Sequence, residues 1–204
     1  MYELATLAAV VVALMVATTF VAGLVGRTLR VVEYVLLTGA VLVILFVMFF
    51  VGAEVLMRYA FDKPIPGHLE GSELMAPIIV FFALSYTQAT HGHVGMDLVL
   101  DAVSPAARRY AEVATMLISI FICAVLAYFS LKNAYQLWLY DDVTMSPPYF
   151  KTWPSAAAIP LGYALISVRM YIQVLHLYDP DRFPANEPAP VAAIKEVGGF
   201  HTVE

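Results

Sequence analysis

Five runs of apolar residues, each approaching membrane-spanning length, restrict what this chain can fold into more than anything else in it. They extend over Leu4 to Gly26, Val31 to Arg58, Leu74 to Thr90, Val113 to Gln136 and Ser155 to His176. At about 1.5 Å rise per residue, a helix of some 20 residues crosses a hydrocarbon core of about 30 Å. Lipid offers backbone groups no hydrogen-bond partner, so a spanning segment must be a helix or part of a closed barrel. Barrel strands would alternate polar and apolar over segments of about 10 residues, and these runs do not alternate. The sequence predicts an all-α, polytopic membrane helix bundle.

Composition agrees, with 61% hydrophobic residues and only 13% charged ones. So few charges must sit where water, a counter-charge or a partner can solvate them. They cluster at the borders of the apolar runs, above all between Glu54 and Asp97. A net charge of -5 lacks the clustered Lys and Arg that phosphate neutralisation requires, so nucleic acid is excluded as a partner. Cys123, the one cysteine, rules out an intramolecular disulfide and any CxxC site, and reads as a small core residue.

The first run lacks the marks of a cleaved signal peptide. Met1-Tyr2-Glu3 is not a basic start, the apolar run is long, and Arg27 and Arg30 follow it. An uncleaved extra N-terminal transmembrane helix is expected over residues 1–30, ahead of a four-helix membrane domain over 31–178. The proline- and charge-rich stretch 179–204 is expected to be a flexible tail. Asp62, Pro64, Pro66 and Gly67 stop the second helix. Glu70 and Glu73 are expected in the first turn of the third, where the helix dipole favours carboxylates. Ser104-Pro105 reads as an N-cap followed by proline at the first helical position. Pro147, Pro148 and Pro154 break the chain before the last helix, and Trp138, Tyr140, Tyr149 and Trp153 form an interfacial aromatic belt. With the N-terminus outside, Arg27, Arg30, Arg108, Arg109, Arg169, Arg182 and Lys195 fall on the inner side, against Arg58, Lys63, Lys132 and Lys151 on the outer.

Two constellations stand out. Glu54 and Arg58, four residues apart, can pair on one helix face near the interface. Either Arg58 snorkels with Glu54 neutralising it, or the pair bonds a neighbouring helix or subunit. His91, His93 and Asp97 form a polar knot after the third run, without the spacing or further ligands of a metal site. A haem-bearing membrane anchor of a redox enzyme is the alternative class, but His68, His91, His93 and His176 lie at helix ends and no transmembrane pair is evident. No nucleophile with a base, phosphate loop or carboxylate pair at membrane depth is visible, so no enzyme activity, cofactor or metal is expected. Nor are the interrupted helices and midplane polar groups of a self-sufficient transporter.

Further signals are ordered along the chain. Arg58-Tyr59-Ala60-Phe61 ends an apolar helix, Pro64-Ile65-Pro66 follows, and Glu73 opens the next acidic helix start. After the next run comes His93-Val94-Gly95-Met96-Asp97-Leu98-Val99, and Trp153-Pro154 with Pro160-Leu161-Gly162 mark the last helix. In this order they resemble the small membrane (Q, DctQ-like) subunit of tripartite ATP-independent periplasmic (TRAP) transporters, from Glu33 through Met170. The family pattern has four helices, so the extra helix is a departure, and Gly67-His68 replaces an aromatic ahead of the acidic helix.

The resemblance implies a bacterial inner-membrane subunit with its N-terminus periplasmic and C-terminus cytoplasmic. Its partners would be a large (M) membrane subunit, a periplasmic binding protein and membrane lipid. The large subunit would import organic acids or related solutes by a sodium-driven elevator motion, while this chain scaffolds it. Expected polar anchors are Glu54, Arg58, Glu73, His93 and Asp97. Expected docking loops carry Asp62, Lys63 and His68, and Asp141, Asp142 and Lys151. Gly39, Gly52, Ser85 and Gly162 are candidates for close helix approach.

Overall fold

In the computed structural model, which describes residues 9, 22–90 and 105–178, the apolar runs fold into four long helices. These are α1 (Ala22–Phe61), α2 (His68–Ala89), α3 (Pro105–Leu139) and α4 (Trp153–Tyr178). All four are long and apolar enough to cross a membrane. Among the described residues there is no strand, only an isolated antiparallel bridge between Val143 and Lys151. Over the described residues the fold is all-helical, with four helices suited to a multi-pass membrane protein. The expected extra span, Leu4 to Gly26, lies outside the described residues except for its last few, as do the tail from 179, Ser104, and the knot at His91, His93 and Asp97.

Several boundaries differ from expectation for local reasons. α1 passes from Ala22 through Arg27 and Arg30 without a break. Two arginines do not stop a helix, and a glycine inside one costs only about 1 kcal/mol relative to alanine. At its other end α1 stops at Phe61, just before Asp62 takes a left-handed φ of 51° and ahead of Pro64. α2 starts at His68 behind Gly67, whose φ of 75° is the left-handed conformation glycine adopts without penalty. Glu70 therefore sits in the first turn, but Glu73 falls in the second. Pro154 does not break the chain. It lies in the first turn of α4, where a missing N–H leaves no intrahelical bond unmade.

The helices run alternately up and down, but they pack as an open row in the order α1, α2, α4, α3 and not as a closed bundle. α1 and α3 are the edges, and α4 is the most enclosed span. Each edge helix buries one narrow seam. On α1 the seam runs through Leu29, Glu33, Leu36, Ala40, Val43, Val47, Phe50, Glu54 and Met57, with Leu37 and Gly39 half-buried beside it. Steps of four and three alternate throughout, the 3.5-residue repeat of a coiled-coil contact. α3 has a comparable seam through Met116, Ile120, Cys123, Ala127, Ser130, Ala134 and Leu137, broadened by half-buried Ser119, Ala124 and Val125.

Of the helix glycines Gly39, Gly52, Gly71 and Gly162, the last makes the closest approach to a neighbouring helix. A methyl group there would lie 2.7 Å from both the carbonyl oxygen and Cβ of Phe81, so only glycine lets α4 approach α2 this closely. Gly39 has ordinary clearance from Phe82 at 3.8 Å, and Gly52 has nothing within 4 Å. Gly162 thus fits the expectation of close approach and Gly52 does not. Gly52 is exposed.

Two buried charge clusters and a candidate docking loop

Because α1 has a single buried seam, whatever polar group falls on that seam is taken out of solvent. Two carboxylates do. Glu33 is 1% exposed and Glu54 2%.

At the Glu33 end, three helices meet through polar side chains. The Ser85 hydroxyl on α2 donates to Glu33 Oε1 at 2.6 Å. Arg169 Nη2 on α4 donates to Glu33 Oε2 at 2.7 Å. Both carboxylate oxygens are thereby used, and Arg169 is as buried as its partner. One turn further along α4, Gln173 Oε1 accepts from Gln88 Nε2 at 2.9 Å, and Gln173 Nε2 donates to the Gln88 carbonyl at 3.2 Å. In lipid, where helices gain little from hydrophobic association, such polar contacts and small-residue packing hold helices together. Sequence reasoning missed this cluster. From sequence, Ser85 reads only as a small residue and Arg169 only as an inner-side cation. The available signal is Arg169, set within an apolar span with no acid near it in sequence, and Glu33, an acid inside the longest apolar helix with Arg30 one turn before it.

The other end is built around Glu54, as the four-residue spacing to Arg58 indicates. Arg58 donates to Glu54 Oε1 from Nε at 2.9 Å and from Nη2 at 2.5 Å. His68, the first residue of α2, lies with Nδ1 3.1 Å from the Ile65 carbonyl and 3.7 Å from Glu54 Oε1, and with Nε2 3.5 Å from Arg58 Nη2. A proton on Nδ1 satisfies both the carbonyl and the arginine. Glu54 is enclosed, whereas the Arg58 side chain is 49% exposed. The ion pair therefore faces inward through its acid and outward through its base.

Beside this cluster the two expected docking loops meet. A methyl group at Gly67 would collide with the Pro148 ring, and Ser146 Oγ hydrogen-bonds Glu70 Oε1. The segment from Asp141 to Thr152 is internally braced. Thr144 N donates to the Phe150 carbonyl at 3.0 Å, and Phe150 N to Thr144 Oγ1 at 3.0 Å. Thr152 Oγ1 donates to Asp142 Oδ2 at 3.0 Å, and Lys151 Nζ pairs with Asp141 at 2.7 Å. Met145 at the tip is fully exposed, and Tyr140 and Tyr149 are exposed on either side. Asp62, Lys63 and Glu73 are exposed nearby. The structure brings together Glu54, Arg58 and His68, and separately Asp141, Asp142 and Lys151.

Between the two ends α1, α2 and α4 carry no charged residue, so these spans offer no ionic path across the layer. The described histidines lie at opposite ends of the helices, His68 at the start of α2 and His176 in the last turn of α4, and do not face one another. No group of three or more metal-ligating side chains occurs among the described residues.

The family model described as "Tripartite ATP-independent periplasmic transporters, DctQ component" matches residues 47–179. That interval holds the end of α1, all of α2, α3 and α4, and the Glu54 cluster with both loops. No curated protein and no solved structure matches the chain.

Proposed function

The chain belongs to the DctQ family, the small component of tripartite ATP-independent periplasmic transporters, and from this we propose that it scaffolds the large membrane subunit of a sodium-coupled importer. The solutes are organic acids or related compounds delivered by a periplasmic binding protein, and this chain binds none of them. It resides in the bacterial inner membrane with the Arg58 end periplasmic and the Arg169 end cytoplasmic, the N-terminus lying outside by way of the extra span. Glu54 acts as a polar anchor inside the chain. Half-exposed Arg58 and exposed Glu73 contact partner proteins at the outer rim, joined by His93 and Asp97 on the inner side. The loops bearing Asp62, Lys63 and His68, and Asp141, Asp142 and Lys151, receive the binding protein.

The observation that carries this reading is the family match over residues 47–179, the end of α1 and all of α2, α3 and α4, in a chain whose α1, α2 and α4 keep their charged residues at the two ends. A solute-conducting chain would place polar groups at mid-depth. The test is uptake by proteoliposomes containing the large subunit, with the binding protein outside, with and without this chain and under an imposed sodium gradient. Uptake that needs this chain and collapses with the gradient supports the reading. Undiminished uptake without the chain sinks it, and gradient-independent uptake removes the sodium coupling alone.

A further inference from the structure

The two edges of the helix row differ in what they ask of their surroundings. On the outward face of α1, between Val35 and Leu56, the one exposed hydrogen-bonding side chain is Thr38. Its hydroxyl already donates to the Tyr34 carbonyl at 2.8 Å. Every other exposed group there is apolar, and lipid tails satisfy such a face completely.

The outward face of α3 does not have that property. Lys132 stands opposite the seam that α3 buries, and Asn133 and Gln136 are exposed beside it. Among the described residues their side chains make no hydrogen bond or ion pair. Lys132 lies two turns, about 10 Å, before the end of α3, and below the exposed Tyr135 and Trp138, whose ring centroids are 5.8 Å apart. A lysine near an interface ordinarily snorkels to water. Here the helix direction opposes that. Cα–Cβ bonds tilt toward a helix's N-terminus, and α3 runs toward this end of the molecule, so Lys132 and Asn133 set out toward the middle of the bilayer. The short Asn133 side chain has no means of turning back. Lipid tails offer no acceptor, and polar side chains at membrane depth find theirs on protein.

We propose that the outward face of α3, centred on Lys132, is the surface that packs against a membrane helix of the large subunit bearing a carboxylate opposite Lys132, while the outward face of α1 is left to lipid. Charge complementarity selects the occupant, since a cation flanked by two amides calls for an acidic, acceptor-rich helix. The inference rests on the reading that the chain assembles with a large membrane subunit.

The test uses affinity-tagged full-length chain co-expressed with the large subunit of the same transporter and purified in mild detergent. Wild type recovers the large subunit. Lys132→Glu lowers that recovery at least tenfold, and Lys132→Arg retains it. Phe129→benzoylphenylalanine, one turn from Lys132, photocrosslinks to the large subunit, whereas Phe49→benzoylphenylalanine on α1 crosslinks to lipid. These two keep Lys132 and so probe the face even if a charge reversal impairs folding. Crosslinking of the large subunit from position 49 and not 129 overturns the proposal, as does unchanged recovery with well-folded Lys132→Glu. Crosslinking from position 129 only to a second copy of this chain overturns it as well. Failure of the wild type to recover any large subunit refutes the subunit reading itself, and the proposal with it.

Discussion

Glu33 and Glu54 lie three heptads apart on one seam of α1, both enclosed by neighbouring helices and each paired with an arginine. Along a helix that separation is about 32 Å, close to the thickness of a hydrocarbon core of about 30 Å. The seam is therefore pinned at the two borders of the bilayer by ions and filled between them by Ala40, Val43 and Val47. A narrow apolar seam in lipid has little to fix its register, because sliding by a turn exchanges one apolar contact for another. Glu33 removes that freedom at one border through Ser85 on α2 and Arg169 on α4, and at the other Glu54, paired with Arg58 on α1 itself, lies 3.7 Å from His68 at the start of α2.

Truncating Glu33 tests the first pin. Glu33→Ala leaves the Arg169 guanidinium enclosed without its counter-charge, and breaking a buried pair in this way costs about 3–5 kcal/mol. Thermal unfolding of the purified chain in detergent should show the loss. The double variant Glu33→Ala/Arg169→Leu should recover a large part of it, because an apolar replacement of both partners leaves no charge stranded. Equal destabilisation by the single and the double variant would mean that the contact is not a coupled pair.

At the second pin the two partners should differ. Arg58→Ala removes a half-exposed side chain, and exposed pairs contribute about 0.2–1 kcal/mol. Glu54→Ala takes the acid from Arg58 and from the neighbourhood of His68 together, so its cost in the same melt should be clearly larger. If Arg58 also contacts a partner protein, Arg58→Ala should weaken co-purification of the complex beyond what its small effect on the isolated chain explains. Unchanged co-purification would show that its exposed half only meets water or headgroups.

Three glycines with three environments should give three outcomes. Gly162→Ala forces α4 away from the Phe81 backbone, an overpacking cost of about 1–3 kcal/mol. Gly67→Ala combines a left-handed φ with a collision at Pro148, and should loosen the Asp141 to Thr152 loop, seen as faster proteolysis there. Gly52→Ala meets open space and should be neutral or stabilising by up to about 1 kcal/mol, through helix propensity alone. A melt in which Gly52→Ala is the most damaging of the three would overturn this ordering of the contacts.

What the sequence discloses depends on how far apart the interacting residues are. Length and polarity of the apolar runs suffice for four spans, and the Glu54–Arg58 pair is legible because four residues make one helical turn. The Glu33–Ser85–Arg169 cluster is not, since it joins residues across α1, α2 and α4 and presupposes that α4 inserts between α2 and α3. The seven-residue spacing of Glu33, Ala40, Val47 and Glu54 does show that both acids share a face. It does not say which helix covers it. Glu73 is misplaced by one turn because the left-handed Gly67 starts α2 earlier than the acidic pair suggests. The continuous α1 is hidden by Arg27 and Arg30, which resemble a loop in composition without preventing a helix.

The outer loop permits a final prediction that separates docking from loop integrity. Reversing Asp141 or Asp142 also removes the acceptors of Lys151 and Thr152, so a loss of uptake in those variants mixes two causes. Met145 has no such entanglement, being fully exposed at the tip of a braced loop. Exposed apolar groups on rigid supports are the usual centres of protein contacts, and burying a charge there without a partner is unfavourable. Met145→Glu should therefore leave the melting temperature of the chain unchanged. It should raise several-fold the binding-protein concentration needed for half-maximal uptake, with the maximal rate preserved. Asp141→Lys and Asp142→Lys should show the same shift together with faster proteolysis of the loop. Unaltered dependence on the binding protein in Met145→Glu would place the docking surface away from this tip. A fall in maximal rate alone would point to a role in the motion of the large subunit.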